Sequence, residues 1–515
     1  MTNRIEAPTA PPLAWPVLLS LIGIRVVLWF CLGDRYGYHG DEFYYIESTR
    51  HLDYGYVDHP PFVVWAAYLA QLVLGESLHA LRFPSMAAGV VTIALTVLVV
   101  RQFGGGVLAQ FLGGFCVLFA PVYLVIGNML DIPVFEQVAW TLAAYLIVLS
   151  VRRDAPRLWV LVGVTAGVGL LIKHTMVLWG VGIAAGLLLT ERRSVLRTPW
   201  PWAGALVALA VFSPNLVWQA RNGWPTLEFI RSMEGGPLAE IPRVLFVLGQ
   251  VLYQGPFFAF IWILGLVFFF TRHGKPYRLF GWLYVVVFAI VLARQGKPYY
   301  LAACYPVLFA GGAVWLEAWL REPRPRWIRR TVVFTTVVGG IALAPLAAPV
   351  FPLPQTEAGI AVVVGGVVEP QAVTGDARAQ IGWAEQLDQL AEMAKRGREM
   401  EVLGEDYIFL SNRYSLTGAV QVVDTQNRLA PAFSGHMSWY YWGPPPESAS
   451  SALVHGYAPD LLEHVFVHVN QIGTLVHPMG EGIEYLRPAP IYACTGLRTP
   501  WADVWPRFRK FNHDD

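Results

Sequence analysis

Long apolar runs separated by short polar turns fill the first 350 residues of the 515-residue chain. A helix that crosses a bilayer needs roughly 17–25 mostly apolar residues. About eleven segments answer to that pattern: 13–32, 84–101, 107–126, 132–151, 157–172, 175–190, 202–218, 244–271, 278–293, 299–319 and 328–350. The first has one upstream base, Arg4, an internal Arg25 and no small-x-small cleavage site, so it reads as a retained helix rather than a cleaved signal. After about residue 351 the pattern changes. Residues 380–396 place Ile381, Ala384, Leu387, Leu390 and Met393 at intervals of three and predict an amphipathic helix. VFVHV (465–469), GAVQVV (418–423) and PIYAC (490–494) predict short strands. The expected architecture is an all-α polytopic membrane domain over 1–350, with an external loop at 33–83. A small α/β domain outside the membrane follows over 351–515.

The charges orient these segments. With the N-terminus on the cytoplasmic side, the basic turns VRRDAPR, ERRSVLRT, TRHGKPYR and REPRPRWIRR all fall on that side, as the positive-inside rule requires. The opposite face then receives the 33–83 loop, the GNMLD turn, Lys173-His174, the 219–243 loop with Arg221, Arg231 and Arg243, the ARQGKPYY turn and the tail.

Composition agrees with a membrane protein. Charged residues make up 14 % of the chain and hydrophobic ones 55 %, against about 25 % charged in a soluble domain. The net charge of +1 gives no basis for nucleic-acid binding. Four cysteines are too few for a disulfide framework: Cys31, Cys116 and Cys304 lie in apolar segments, and Cys494 lies in the tail. No P-loop, GxSxG or HExxH motif occurs.

Against this background the stretch His39–Phe62, HGDEFYYIESTRHLDYGYVDHPPF, is densely polar. It predicts two short helices, one from about Glu42 to His51 and one beginning at Pro60-Pro61. Asp41 and Asp58 stand just before these starts, so each reads equally as an N-cap or as a working carboxylate. In the second reading one of these carboxylates takes a proton from an acceptor hydroxyl, and His59 contacts a phosphate. Asn128 and Asp131 share the same side, and capping is again the plain alternative. Lys173 and His174 sit among apolar neighbours in LLIKHTMVL, where an ionisable pair points to function. Arg294, Lys297, Tyr299 and Tyr300 form a further basic and aromatic group, with snorkelling to the interface as the alternative. Acids ringed by cations suit a leaving group that is an anionic lipid phosphate. Trp439, Tyr440, Tyr441 and Trp442 in the tail read either as a sugar-stacking surface or as the small domain's core.

These residues resemble a known family. HGDEFYYIESTRHLDYGYVDHPPFVVWAAYL resembles the first external loop of the GT-C membrane glycosyltransferases. The nearest branch is the bacterial one related to dolichyl-phosphate-mannose–protein mannosyltransferases and to the aminoarabinose transferases of lipid A. GNMLDIPVFEQVAWTLAAY, GLLIKHTMVL, SPNLVWQARNGWPTLEF and GKPYYLAACYPVLFAGG resemble further blocks in the same order, and SGHMSWYYWGPP and PIYACTGLRTPWADVWPRFRKF resemble the C-terminal region of bacterial members.

The resemblance implies a multi-pass protein of the bacterial inner membrane with its active site and C-terminal domain outside the cytoplasm. The donor would be a polyprenyl-phosphate-linked sugar, and the acceptor an envelope lipid, glycan or protein. It implies Asp41 as catalytic base, with Glu42 organising the loop. Asp58 and His59 would bind the donor phosphate, in one version through a divalent metal; no other cofactor is implied. Lys173, His174, Lys297 and Tyr299 would complete the phosphate site, supported by Asn128 and Asp131. His59 stands where the aminoarabinose transferases carry lysine, and His174 departs from the glycine or tyrosine often found there. A transporter or flippase of a lipid-linked substrate is the rival reading. It would require charges at the bilayer midplane and broken helices in repeated halves. A non-catalytic scaffold would leave the loop's acids with capping alone.

Overall fold

The computed structural model describes residues 10–233, 242–323, 325–366, 368–480 and 487–512. Arg4 and Arg324 of the sequence argument, and part of the 219–243 loop, lie outside the described residues. The chain is a multi-span helical protein. The first helices are α1 (Trp15–Leu32), α2 (Gly40–Ser48), α3 (Phe62–Leu74), α4 (Leu78–Gln102), α5 (Val107–Phe119), α6 (Pro121–Ile126) and α7 (Ile132–Arg152). They are followed by α8 (Trp159–Ile172), α9 (Met176–Leu188), α10 (Trp200–Arg221), α11 (Pro225–Ser232) and α12 (Arg243–Gln254). The helical part ends with α13 (Ala259–Phe270), α14 (Arg278–Ala293), α15 (Tyr305–Arg321), α16 (Arg326–Ala347) and α17 (Leu353–Val364).

Every one of the apolar segments is helical. Among the described residues seven helices are long and apolar enough to cross a membrane. The segments at 107–126, 157–172 and 175–190 give shorter helices. The 244–271 segment differs from the single span expected. Its two halves are bent by 83° at Gly255-Pro256. Gly255 has a φ of +88°, open to glycine without strain, and Pro256 has no N–H to continue the first helix.

The tail begins with short helices α18 (Pro370–Val373) and α19 (Gly375–Arg378). Next come α20 (Trp383–Glu399), β1 (Ile408–Ser411), α21 (Tyr414–Val423), β2 (Ala432–Phe433) and β3 (Ser451–His455). The chain then forms α22 (Pro459–Val465), β4 (Phe466–Leu475), β5 (Ala489–Leu497) and α23 (Trp501–Val504). The strands make one mixed sheet in the order β2-β1-β3-β5-β4, with β1 parallel to β2 and β3, and β5 antiparallel to β3 and β4. Both faces are covered, as the fully buried β1 requires. Leu387, Leu390 and Leu416 pack on Phe409 and Leu453 of one face, while Leu462, Trp501 and Phe508 pack on Leu410 and Val454 of the other.

GAVQVV is not a strand. It belongs to α21, because that helix packs on α2: a Cβ on Gly418 would stand 2.7 Å from Phe43 Cβ. Packing outweighs the β preference of the three valines. The joint continues through Tyr44, Val57, Met437, Trp439 and Phe511, which form one buried cluster. The tail's aromatic run therefore packs against the first loop: Trp439 is buried there, and Trp442 stacks on His51 with centroids 4.6 Å apart.

Candidate functional site

Residues 33–61 are fixed by a buried ion pair. Glu42 is 0 % exposed and lies in the first turn of α2. Its Oε1 accepts from Arg82 Nε (2.7 Å) and from the Leu130 N–H (2.8 Å). Its Oε2 accepts from Arg82 Nη2 (2.6 Å) and from the His39 N–H (2.8 Å). A carboxylate has about four lone-pair positions, and here all are used. Arg82 also donates to the carbonyls of Gly33 and Gly37 and to Gln380 Oε1. One pair thus joins α1's end, α2, α4, the 127–131 turn and the tail. Asn128 assists: its Nδ2 donates to the Leu32 carbonyl at 3.5 Å.

Asp41 and Asp58 are not the helix caps that the sequence allowed. The cap of α2 is His39, whose Nδ1 accepts from the Asp41 N–H at 3.2 Å while Glu42 returns the bond to the His39 N–H, a capping box. The residue capping α3 is Pro61. The side chains of Asp41 and Asp58 are therefore released from that task. Asp131 does cap its helix, accepting from the Ile132 N–H at 2.7 Å.

The Asp41 side chain is 35 % exposed. Its Oδ1 accepts a 2.5 Å hydrogen bond from the Tyr414 hydroxyl, and its Oδ2 lies 3.7 Å from His39 Nδ1. Burial, then the Asp41 charge, hold the Tyr414 hydroxyl well above its usual range, so it remains a donor. Burial works against a proton on His39, but Asp41, Asp376, Glu42 and Asp131 outweigh it and raise the imidazole. Protonation of Nδ1 would cost the α2 cap its acceptor. Asp131 is pushed up to about 7 by burial first and then by the Asp41 charge, with His39 opposing.

Asp58 accepts from the Tyr44 hydroxyl at 3.0 Å, and Tyr44 in turn meets Ser438 of the tail at 2.6 Å. His59 is 2 % exposed, ringed by Tyr44, Tyr45 and Tyr56. Its Nδ1 is 2.8 Å from the Pro60 carbonyl, which can only accept, so that nitrogen carries the hydrogen. Its Nε2 is buried without a hydrogen-bond partner and lies 4.0 Å from Asp58 Oδ1. Among the described residues no group of three or more His, Cys, Asp or Glu is arranged to hold a metal ion. An ion at Asp58 and His59 would draw its remaining ligands from phosphate oxygens and water.

Lys173 follows the last residue of α8. Its Nζ lies 3.2 Å from Glu136 Oε2, 4.7 Å from the centroid of Tyr300 and 5.6 Å from that of Tyr299. Burial lowers its pKa, but Glu136, Tyr300 and Asp131 outweigh that and raise it. Lys297 Nζ approaches the same Tyr299 ring at 5.8 Å, so the two cations flank one aromatic. His174 turns to Asn215 Oδ1 at 3.3 Å. Burial lowers its pKa against the Asn215 hydrogen bond, with the nearby His59 adding to the lowering. Asn215 donates to the Tyr54 carbonyl (2.8 Å), which ties α10 to the Tyr-Gly-Tyr turn.

Five contributors escaped the sequence reading: Arg82, Glu136, Asp376, Tyr414 and Ser438. Glu136 carried a usable signal, being an ionisable residue inside the 132–151 apolar segment, whereas Arg82 fell in the stretch read as the external loop. Tyr414 and Ser438 carried none.

The fold places the chain among known proteins. Two crystal structures of ArnT from Cupriavidus metallidurans superpose with a TM-score of 0.59 each. One is bound to undecaprenyl phosphate and is 15 % identical in sequence; the other is in the apo state and 16 % identical. Both alignments cover 93 % of this chain and 98 % of ArnT. The chain has an ArnT-like GT-C fold. The sequence profile of the dolichyl-phosphate-mannose-protein mannosyltransferases matches residues 58–218. That stretch begins at Asp58, includes Asp131, Lys173 and His174, and ends on α10. No curated protein sequence matches the chain.

Proposed function

We propose that the protein is a membrane glycosyltransferase that moves a sugar from a polyprenyl-phosphate donor to a hydroxyl of an envelope acceptor. One observation carries this reading: two adjacent acids in one helical turn are divided in role. Glu42 is buried with every acceptor position filled, whereas Asp41 is partly exposed and steadied by Tyr414. Around the same end of the bundle stand His59, Lys173 and Lys297. The ArnT-like fold and the mannosyltransferase profile support the assignment.

In the proposed reaction Asp41 takes the acceptor's O–H proton as the oxygen attacks the anomeric carbon. The carbon–phosphate oxygen bond breaks on the opposite face, and the electron pair leaves with the polyprenyl phosphate. The sugar inverts. The leaving phosphate is already a stable anion, so no acid is needed to protonate it. Lys173 and Lys297 contact the phosphate, joined by His59 when its ring carries a hydrogen on both nitrogens so that Nε2–H donates, and no step passes through a metal. Glu42 is the organiser of the loop. The basic turns support an extracytoplasmic site on a bacterial inner membrane, with 351–515 as the C-terminal domain.

A transporter would use broken helices in repeated halves. Among the described residues one bent pair is found, α12 with α13, so the enzyme reading is preferred. The test is deletion of the gene with mass spectrometry of envelope lipids, glycans and glycoproteins, joined to an assay of polyprenyl phosphate released by purified protein from synthetic sugar donors. Loss of one sugar together with release from the matching donor is expected. An unchanged envelope and no release from any donor would overturn the reading.

A further inference from the structure

A cavity lies at the other end of the bundle. Helix α9 begins just after His174 and α14 ends just before Lys297, yet the far ends of these two helices meet at a cavity of about 350 Å³. Thirteen helical residues of α9, at about 1.5 Å each, separate it from the candidate site. The two helices pack closely there: a Cβ on Gly186 would stand 2.5 Å from the Leu279 carbonyl oxygen.

Two interhelix turns build the cavity. Arg192 Nε donates to the Pro276 carbonyl at 3.1 Å, and Lys275 pairs with Glu191 at 2.6 Å. These contacts hold the turn after α9 against the turn before α14. The lining has two characters. Leu188 and Leu189 form an apolar wall and are 61 % and 56 % exposed. Arg192, Arg193, Lys275 and Arg278 supply four positive charges against the one negative charge of Glu191. Arg278 Nε is buried and has no hydrogen-bond partner, a donor that remains costly until an acceptor reaches it.

We propose that this cavity binds the phosphate of an anionic glycerophospholipid in the leaflet at this end, with its acyl chains along Leu188 and Leu189. Basic pockets between membrane helices suit such headgroups. The chemistry recognised is a phosphate oxyanion, which free phosphate also presents. The apolar wall at the membrane boundary is what favours the lipid. Charges that served only to orient the chain would need neither a cavity nor an apolar wall.

The test is native mass spectrometry of the full-length protein in mixed micelles of phosphatidylglycerol or phosphatidylcholine. Wild-type protein is expected to retain phosphatidylglycerol about fivefold or more over phosphatidylcholine. The double variant Arg192→Gln/Arg278→Gln loses that preference, while Arg157→Gln, at another basic turn, keeps it. Monodispersity on gel filtration checks that each variant is folded; if the double variant fails, Lys275→Gln alone is expected to reduce the preference. Equal retention of both lipids, or an equal loss in Arg157→Gln, overturns the site. Complete displacement of the lipid by millimolar inorganic phosphate would overturn the lipid assignment.

Discussion

The Tyr414 hydroxyl donates to Asp41 Oδ1 across 2.5 Å, although 373 positions separate the two residues. The bond fixes one oxygen of the proposed base and leaves the carboxylate partly open to solvent. Asp41→Asn should lower sugar transfer by about 100-fold or more, the usual scale of a general base, with unchanged expression and gel-filtration profile. Tyr414→Phe should cost less, about 3–30-fold, chiefly in kcat. Near-normal transfer by Asp41→Asn would remove Asp41 from the chemistry.

Arg82→Met should be far more damaging to stability than to any single chemical step. It leaves the fully buried Glu42 carboxylate unpaired, at a cost of about 3–5 kcal/mol. Thermal unfolding in detergent measures this. The double variant Glu42→Gln/Arg82→Met should recover part of the loss, because no buried charge is then stranded. Additive losses would show that the pair does not act as a unit.

His59→Asn keeps a side-chain amide able to reach the Pro60 carbonyl and removes the Nε2 atom. The donor KM is expected to rise about tenfold or more, with little change in unfolding temperature. Chelator should leave the wild-type donor KM unchanged if His59 contacts phosphate directly. A chelator-sensitive KM would instead place an ion between them.

Asp131 links stability to pH. Its carboxyl is raised from 3.8 to about 7 in the folded protein. Between those values the folded chain holds a proton that the unfolded chain has released, so stability falls as pH rises through this window. Unfolding temperatures measured from pH 5 to pH 8 should decline, and Asp131→Asn should flatten the decline. An unchanged slope in that variant would assign the effect to another group.

The sequence revealed the apolar segments because each spans a long stretch of chain, and a membrane helix cannot hide that length. It located the bend poorly, although Gly255-Pro256 stood in plain view between two apolar halves. GAVQVV misled because three valines favour a strand in isolation, whereas Gly418 is needed against Phe43. Asp41 looked like a cap because aspartate is a common one; the actual cap, His39, is an unusual residue for the task and works through Glu42. The acids and cations of the site were legible as a polar group between apolar runs. Their division of labour was not, since the filled lone pairs of Glu42 come from residues 39, 82 and 130 together.

The span from Asp41 to Tyr414 has a consequence during synthesis. At roughly 5–20 residues per second, the ribosome needs about 20–75 s to make the residues between them. For most of that interval the first loop stands without Gln380, Tyr414 or Ser438 to close around it. On the proposed reading, a nascent chain inserted in the bilayer is therefore a dormant one, and its activity waits until Tyr414 and Ser438 have been delivered.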